Sequence, residues 1–584
     1  MPAMKEWIKW TIWACLFGVA LPNAMAQTAE QFSEAVGTPA NPKVQISWNR
    51  YQTSDGLYVL MKKLADAHPN LVKLSSIGKS YQGKDIWLLT VTDFKKGDPD
   101  RKPGFYIDGN IHSNELQGSE IILYTAWYMV EMFPENTFFQ ELLADKVFYL
   151  LPTINPDARD NFIKEGNTAS SPRAGMMPID DDLDGLYEED GYDDLDGDGS
   201  ITFMRRKNPN GRYKTDPKDP RMMILAEPDE PGEYELLGLE GIDNDGDGLV
   251  NEDRVGGYYD PNRDWGWNWQ PGHIQSGAYK YPFSVPENRA VLDFVMSRPN
   301  IAGAQSYHNT GGMILRGPGA QEDSGTYTPE DIRVYDALGK MGEKLIPGYK
   351  YLVVWKDLYS VFGGELDWFH GSRGIFTCSN ELYTPYMMFN KEYAGRWGGP
   401  VQTDNYLFDK RLMFEDAFTP WKEYDHPQYG KIEIGGFKKS FTRNTPGFLL
   451  ESEAHRNMAF TVYHAYHMPK LVVEEVSEKD LGGGLTEVTA VIANKRMIPT
   501  HSGHDLKNKI TRPNYIRLEG ANVISGMRVI NRDMNLTEEQ AFNPAQVEVE
   551  NIPGMEAVTV RWIISGAKKY TIRVDSAKGG VVTR

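Results

Sequence analysis

Short apolar runs alternate with amphipathic stretches along the first part of the chain. Leu57 to Ala67 repeats apolar residues at helical spacing. Val72 to Ile77 and Asp85 to Thr92 read as strands joined by a turn at Gln82-Gly83-Lys84. Gly104 to Gly109 is a short apolar run suited to a buried strand. Ile121 to Phe133 predicts an amphipathic helix, and Lys146 to Leu151 another buried strand. Strands alternating with helices imply an α/β layer around a mixed or parallel sheet.

The pattern breaks from about Glu165 to Tyr258, where Asp, Gly, Pro and Glu dominate and long ordered loops are expected. It resumes around Asn288 to Met296 and continues through roughly His370 to Glu381. Lys391 to His426 is aromatic-rich and reads as a cleft-lining insertion. Beyond about Lys470 the stretches Glu487 to Asn494, Ala557 to Ser565 and Tyr570 to Val574 carry alternating or β-branched residues. Turns fall at Gly482-Gly483-Gly484 and Gly579-Gly580, so a small all-β sandwich is expected there.

Composition refines this picture. The 584 residues exceed one compact core. Lys5 and Lys9, the apolar stretch Trp10 to Leu21 and Ala24-Met25-Ala26 form the pattern of a cleaved leader over residues 1–26. A secreted or periplasmic location follows, with Gln27 starting a mature chain that has no membrane span. Cys378 is then the one cysteine left, so folding rests on packing and metals. The net charge of −19 argues against nucleic-acid binding. It is concentrated: eleven acidic and no basic residues lie between Asp180 and Ser200.

The first candidate chemistry is His112-Ser113-Asn114-Glu115, just beyond the strand ending at Gly109. Ligands of open α/β sheets gather beyond strand carboxyl ends. A His and a Glu three apart can serve one Zn²⁺, although the pair alone is a weak signal. Further along come Asn155-Pro156-Asp157, Arg206-Lys207-Asn208-Pro209-Asn210-Gly211 and Asp260-Pro261-Asn262-Arg263. Ser306-Tyr307-His308, the run Tyr359 to Trp368 and Asn380-Glu381-Leu382 follow. Together, and in this order, they resemble the funnelin-type zinc carboxypeptidases, the family of pancreatic carboxypeptidases A and B. The resemblance covers roughly Tyr51 to Glu381, interrupted by the acidic insertions.

The resemblance implies a mixed-sheet α/β/α carboxypeptidase domain over residues 48–469, after a lead at 27–47, with acidic insertions at 165–258. The all-β domain would take 470–584. It implies one catalytic zinc on His112, Glu115 and His308, with the fourth position open for water and Glu381 as general base. Arg206 would stabilise the oxyanion, Arg263 and Asn262 would bind a free C-terminal carboxylate, and Tyr359 would close over the end residue. Leu366 falls where the family places the pocket floor, which suggests apolar terminal residues, unless Glu365 turns inward. His273, His370, His426, His455, His464 and His467 lack such company and read as surface or packing residues.

Three stretches repeat D-x-D-x-D-G: Asp180, Asp182, Asp184; Asp194, Asp196, Asp198; and Asp243, Asp245, Asp247. This is how calcium loops place oxygens around Ca²⁺. The twelfth position is Arg205 or Arg254 in the last two, so a full EF-hand is absent. The expected function is zinc-dependent removal of C-terminal residues from peptides. A peptidoglycan stem-peptide hydrolase with the same zinc site, and a non-catalytic calcium-dependent peptide-binding protein, are the alternatives.

Overall fold

In the computed structural model the described residues are 35–166, 168, 173–254, 257–384, 402–566 and 569–584. The leader and part of the 391–426 segment lie outside them. Residues 35–42, in a separate N-terminal unit, hold turns and bends; Lys43–Arg584 form the second unit.

An eight-stranded mixed sheet organises the first part of that unit. Its strands are β1 (Val72–Lys79), β2 (Asp85–Val91), β3 (Gly104–Gly109), β4 (Val147–Leu151), β5 (Ile301–Asn309), β6 (Met313–Arg316), β7 (Lys350–Val353) and β8 (Phe376–Leu382). The order is β1-β2-β4-β3-β5-β8-β6-β7, with β4, β3, β5 and β8 mutually parallel. Parallel strands are covered on both faces, which is why β3, β4 and β5 are buried at every position.

Alternate residues serve opposite layers. Phe105, Ile107, Phe148 and Leu150 pack with helices Gln117–Met132 and Gly447–Tyr466. Tyr106, Val147 and Tyr149 pack with Val291 and Val295 of helix Pro286–Met296 and with Trp368 and Phe369 of helix Glu365–Arg373. Gly118 lets the first of these helices approach the sheet closely, since a Cβ there would lie 2.8 Å from that of Tyr307.

Two features differ from the sequence expectation. The 165–258 region is not only loops: Phe203–Lys207, Tyr213–Thr215, Met223–Leu225 and Tyr234–Leu239 join Phe418–His426 and Gly430–Phe437 in a six-stranded antiparallel sheet. These strands are short and lie far apart in the chain, so no local window displays their pairing. The 402–426 stretch thus supplies one strand of that sheet, and Tyr406 and Phe418 pack with Met222. Helix Gly447–Tyr466 also has no clear apolar stripe, because its buried face includes Glu453, Asn457 and Thr461. They bond inward: Glu453 accepts from the Tyr349 hydroxyl at 3.1 Å and Asn457 from the Asn380 amide at 2.8 Å.

The C-terminal part is a pair of antiparallel sheets. Leu471–Gly482, Leu485–Asn494, Ala557–Ser565, Asn522–Asn531 and Leu536–Glu539 form one. Gln546–Val549, Asn514–Glu519, Thr571–Ser576 and Gly580–Thr583 form the other. Ile492, Ile516, Leu518, Val560, Trp562 and Val574 fill the space between them.

This all-β part braces the helix that carries Glu365, Leu366 and Asp367. Lys578 donates to the carbonyl oxygens of Arg373 and Gly374, at the helix C-terminus, and pairs with buried Asp505 at 2.6 Å. Among the described residues no helix is long and apolar enough to cross a membrane. Breaking the buried pair strands Lys578, so Asp505→Ala is expected to destabilise by about 3–5 kcal/mol, measured by denaturant unfolding against wild type.

Candidate active site

The site forms where β3, β5 and β8 end together. β3 stops at Gly109, and Asn110 then takes a left-handed turn (φ 56°), a conformation Asn tolerates better than most residues. Its buried side-chain amide donates to the carbonyl oxygens of His112, Ser113 and Glu115 at 2.8, 3.2 and 3.3 Å. That fixes the loop presenting His112 and Glu115. His308, the penultimate residue of β5, is the register partner of Glu381 on β8.

The three candidate ligands converge. Nδ1 of His112 lies 3.0 Å from Oε1 of Glu115, and Nδ1 of His308 lies 3.0 Å from Oε2 of the same carboxylate. The two Nδ1 atoms are 3.3 Å apart. Donors held ~2.0–2.2 Å from a tetrahedral zinc stand roughly 3.4 Å from one another, so this triad fits one ion. All three residues are buried.

Asp260 holds the outer nitrogen of His112, with Oδ1 2.8 Å from Nε2. This favours the tautomer whose Nδ1 is free to bind metal. Nε2 of His308 faces Ser306 Oγ at 3.3 Å and the Asn262 amide at 3.4 Å.

Electrostatics keep the ligand carboxylate ionised. Burial alone would raise Glu115, but His112 and His308 hold it well below the usual carboxylate range. Burial likewise opposes charge on His308, and its bond to Glu115 reverses the effect, so its value is raised. Glu381 is raised, chiefly by burial.

Asn262, Arg263, Tyr359 and Leu366 line the same pocket as His308 and Glu381. Arg263 is buried, with Nη1 donating to the Asn262 carbonyl at 2.7 Å, whereas Tyr359 is 40% exposed at the rim. Leu366 packs against an apolar cluster of Met313, Leu315, Val354, Leu358 and Val361. Glu365 does turn inward: buried beside Asp108, it accepts from Ser306 Oγ at 3.0 Å, and burial raises its carboxyl well above the usual range. Asp367 lines the pocket too, accepting from the Gly319 amide at 2.7 Å and pushed up to about 7 by burial.

Arg206 is the exception. It lies on strand Phe203–Lys207 of the six-stranded sheet, where its guanidinium pairs with Glu235 at 2.9 Å. Its neighbour Arg205 pairs with Glu433 and stacks between Tyr234 and Trp421. The arginine beside the triad is instead Arg173. Its Nε lies 3.1 Å from Asp260, its Nη1 3.5 Å from Glu115, and its Nη2 2.8 Å from Nε2 of His112. Arg443 stands behind Glu115 at 3.9 Å. Neither arginine sits in a motif that sequence spacing could single out.

The histidines outside the centre mostly pack. His370 is buried against Tyr327 and Tyr335, and burial lowers it to about 4. His464 is buried beneath the sheet against Phe105.

A family model described as zinc carboxypeptidase matches residues 57–168 and 239–393, and one described as a domain of unknown function matches 470–584. Human carboxypeptidase D is 26% identical over 152 residues, which is 26% of this chain and 10% of that protein. A zinc carboxypeptidase of Saccharothrix mutabilis subsp. capreolus is 30% identical over 135 residues, 23% of this chain and 30% of that protein. The chain therefore spans a tenth to under a third of the length of these curated relatives. The solved carboxypeptidase A of Helicoverpa armigera aligns over 71% of this chain and 75% of its own, at 16% identity and a TM-score of 0.39.

Replacing Asp260 by Asn, which frees the outer nitrogen of His112, is expected to weaken zinc binding about 10- to 100-fold. Glu115→Gln and His308→Ala should weaken it further, and Arg206→Ala should leave it unchanged. Competition with a chromophoric chelator reads all four.

Proposed function

We propose, for a chain that belongs to the zinc carboxypeptidase family through residues 57–168 and 239–393, that it removes C-terminal residues from peptides, acting outside the cytoplasm as the leader pattern suggests. The observation carrying this reading is one pocket that joins His112 and His308 of the metal triad to Glu381 and to the buried guanidinium of Arg263. Zinc bound by His112, Glu115 and His308 would lower the pKa of a water in its open position to roughly 7.

The chain's own groups do the rest. Arg263 pairs bidentately with the terminal carboxylate, helped by the Asn262 amide, and so sets the register of the scissile bond. Glu381 takes the proton of the attacking water and passes it to the leaving nitrogen. Arg173, rather than Arg206, stabilises the negative charge that develops on the carbonyl oxygen. Tyr359 covers the end residue from the rim.

The apolar cluster around Leu366 supports a preference for apolar end residues. Glu365 and Asp367 are the pocket carboxyls that would otherwise invite a basic one. Both are engaged by hydrogen bonds and raised by burial, which weakens their pull on a cation.

Blocked dipeptides with free and amidated ends test it, using protein loaded with zinc, stripped, and reloaded. Release from free apolar ends should follow zinc and fall at least ~100-fold in Glu381→Gln. Arg173→Met should lower kcat/KM about 100- to 1,000-fold while Arg206→Met changes it little. Arg263→Met should erase the preference for a free over an amidated end. Faster release of Lys or Arg would contradict the apolar pocket. No release from any end by the zinc-loaded protein would overturn the general peptidase reading in favour of cell-wall peptides or binding alone.

A further inference from the structure

The first and third acidic loops repeat each other in hydrogen bonding as well as in sequence. Asp180 and Asp243 each accept from the Gly amide five residues on, at 3.0 Å in both cases. Asp184 accepts from the Leu186 amide at 2.6 Å, and Asp247 from the Leu249 amide at 2.7 Å. Such loops alone carry no conclusion, since they need no ion to form.

What points to an ion is the pair of acidic residues between them. Asp190 and Asp253 close the two loops and meet in an antiparallel bridge, the Asp190 amide donating to the Asp253 carbonyl at 3.2 Å. Both residues are fully buried. Among the described residues neither Asp253 carboxylate oxygen accepts a hydrogen bond, and Oδ2 of Asp190 accepts none.

These stranded oxygens point across the bridge. Asp253 groups with Asp180 and Asp182 of the other loop, and Asp190 groups with Asp245 and Glu252 of the other loop, each set lying within 4.8 Å. Asp190 Oδ1 accepts from the Asn244 amide at 3.3 Å, but the other three buried oxygens have no donor, which is strongly unfavourable without a cation.

We propose that loops 180–190 and 243–253 form a two-cation calcium clasp in which each ion is completed by the partner loop. Asp180, Asp182, Asp184 and Glu189 take one ion together with Asp253. Asp243, Asp245, Asp247 and Glu252 take the other together with Asp190. The exchange answers the missing twelfth ligand, which is Gly191 in one loop and Arg254 in the other. An all-oxygen set of this size suits Ca²⁺, whereas Mg²⁺ demands fewer ligands and keeps its water. The middle loop is different: its Glu240 is satisfied by Thr202 and Leu195, and Lys422 stands 4.0 Å from Asp196.

The clasp also positions the catalytic centre. Arg173 lies seven residues before Asp180, and Asp260 seven residues after Asp253. Between these points Met177 packs with Tyr259, and Arg173 pairs with Asp260 at 3.1 Å. Calcium at the base of both segments holds that pair against His112. This coupling rests on the zinc-peptidase reading; the clasp itself does not.

The test uses the full zinc-loaded protein, freed of calcium by dialysis and checked for retained zinc. Radioactive calcium in equilibrium dialysis should show Asp190→Asn and Asp253→Asn each losing one tight calcium, with affinity falling about tenfold or more, and the double variant losing two. Wild-type binding in both single variants, or equal displacement by magnesium, would overturn the clasp. Should the variants not fold, hydrogen exchange on the wild type decides. Calcium should protect residues 173–190 and 243–263 together, and protection of one segment without the other would overturn the pairing. Calcium removal should also lower kcat/KM with zinc retained, and unchanged kcat/KM would overturn the coupling. Calcium bound as described by a zinc-loaded protein that hydrolyses nothing would count against the peptidase reading and leave the clasp standing.

Discussion

Everything at the centre depends on the hydrogen-bonded register of three parallel strands. β5 pairs with β3 so that Gly109 lies beside Tyr307, and with β8 so that Glu381 lies beside His308. Because neighbouring strands run ~4.8 Å apart, that register sets the candidate metal ligand His308 and the carboxyl of Glu381 side by side. A slip of one residue on either strand would turn one of them to the opposite face of the sheet. The apolar layers on both faces, the glycine contact at Gly118 and the Asn110 clamp all serve to hold this alignment.

The same alignment creates an electrostatic burden. His112, Glu115, His308 and Asp260 are buried together beside half-buried Glu381, with Arg173 and Arg263 as their cations. Burying charge is tolerable only when it is paired and hydrogen-bonded. Asp260 illustrates the solution: burial would raise it, but Arg173, Arg263 and His112 together hold it well below the usual carboxylate range. The group that orients the histidine is therefore also the group that anchors both pocket arginines. The all-β part contributes at a distance, fixing the end of the helix whose beginning lines the pocket.

How much of this was legible in the sequence depended on how local each signal is. His112 and Glu115 follow a strand, and His308 and Glu381 lie near the ends of two others, but it is the ordered resemblance of their motifs to the zinc carboxypeptidases that singles them out. Asn262, Arg263, Tyr359 and Leu366 likewise sit in compact motifs, and the structure brings them to one pocket. Arg206 failed for the opposite reason. Its spacing to Asn208 and Asn210 was apt, but a strand added between Gly430–Phe437 and Tyr234–Leu239 carries it to another sheet, and that pairing spans over two hundred residues. Arg173 stands in a stretch with no periodicity, and only its contacts identify it. The acidic loops announced themselves by repetition, whereas the bridge between Asp190 and Asp253 is a tertiary fact.

The measurement that tests the central claim most directly is X-ray absorption at the zinc edge of the purified protein. Two imidazole nitrogens at ~2.0–2.1 Å, a carboxylate oxygen and one further light oxygen are predicted, with one imidazole lost in His308→Ala. A shell made only of oxygens, unchanged in His308→Ala, would place the metal elsewhere and contradict the account.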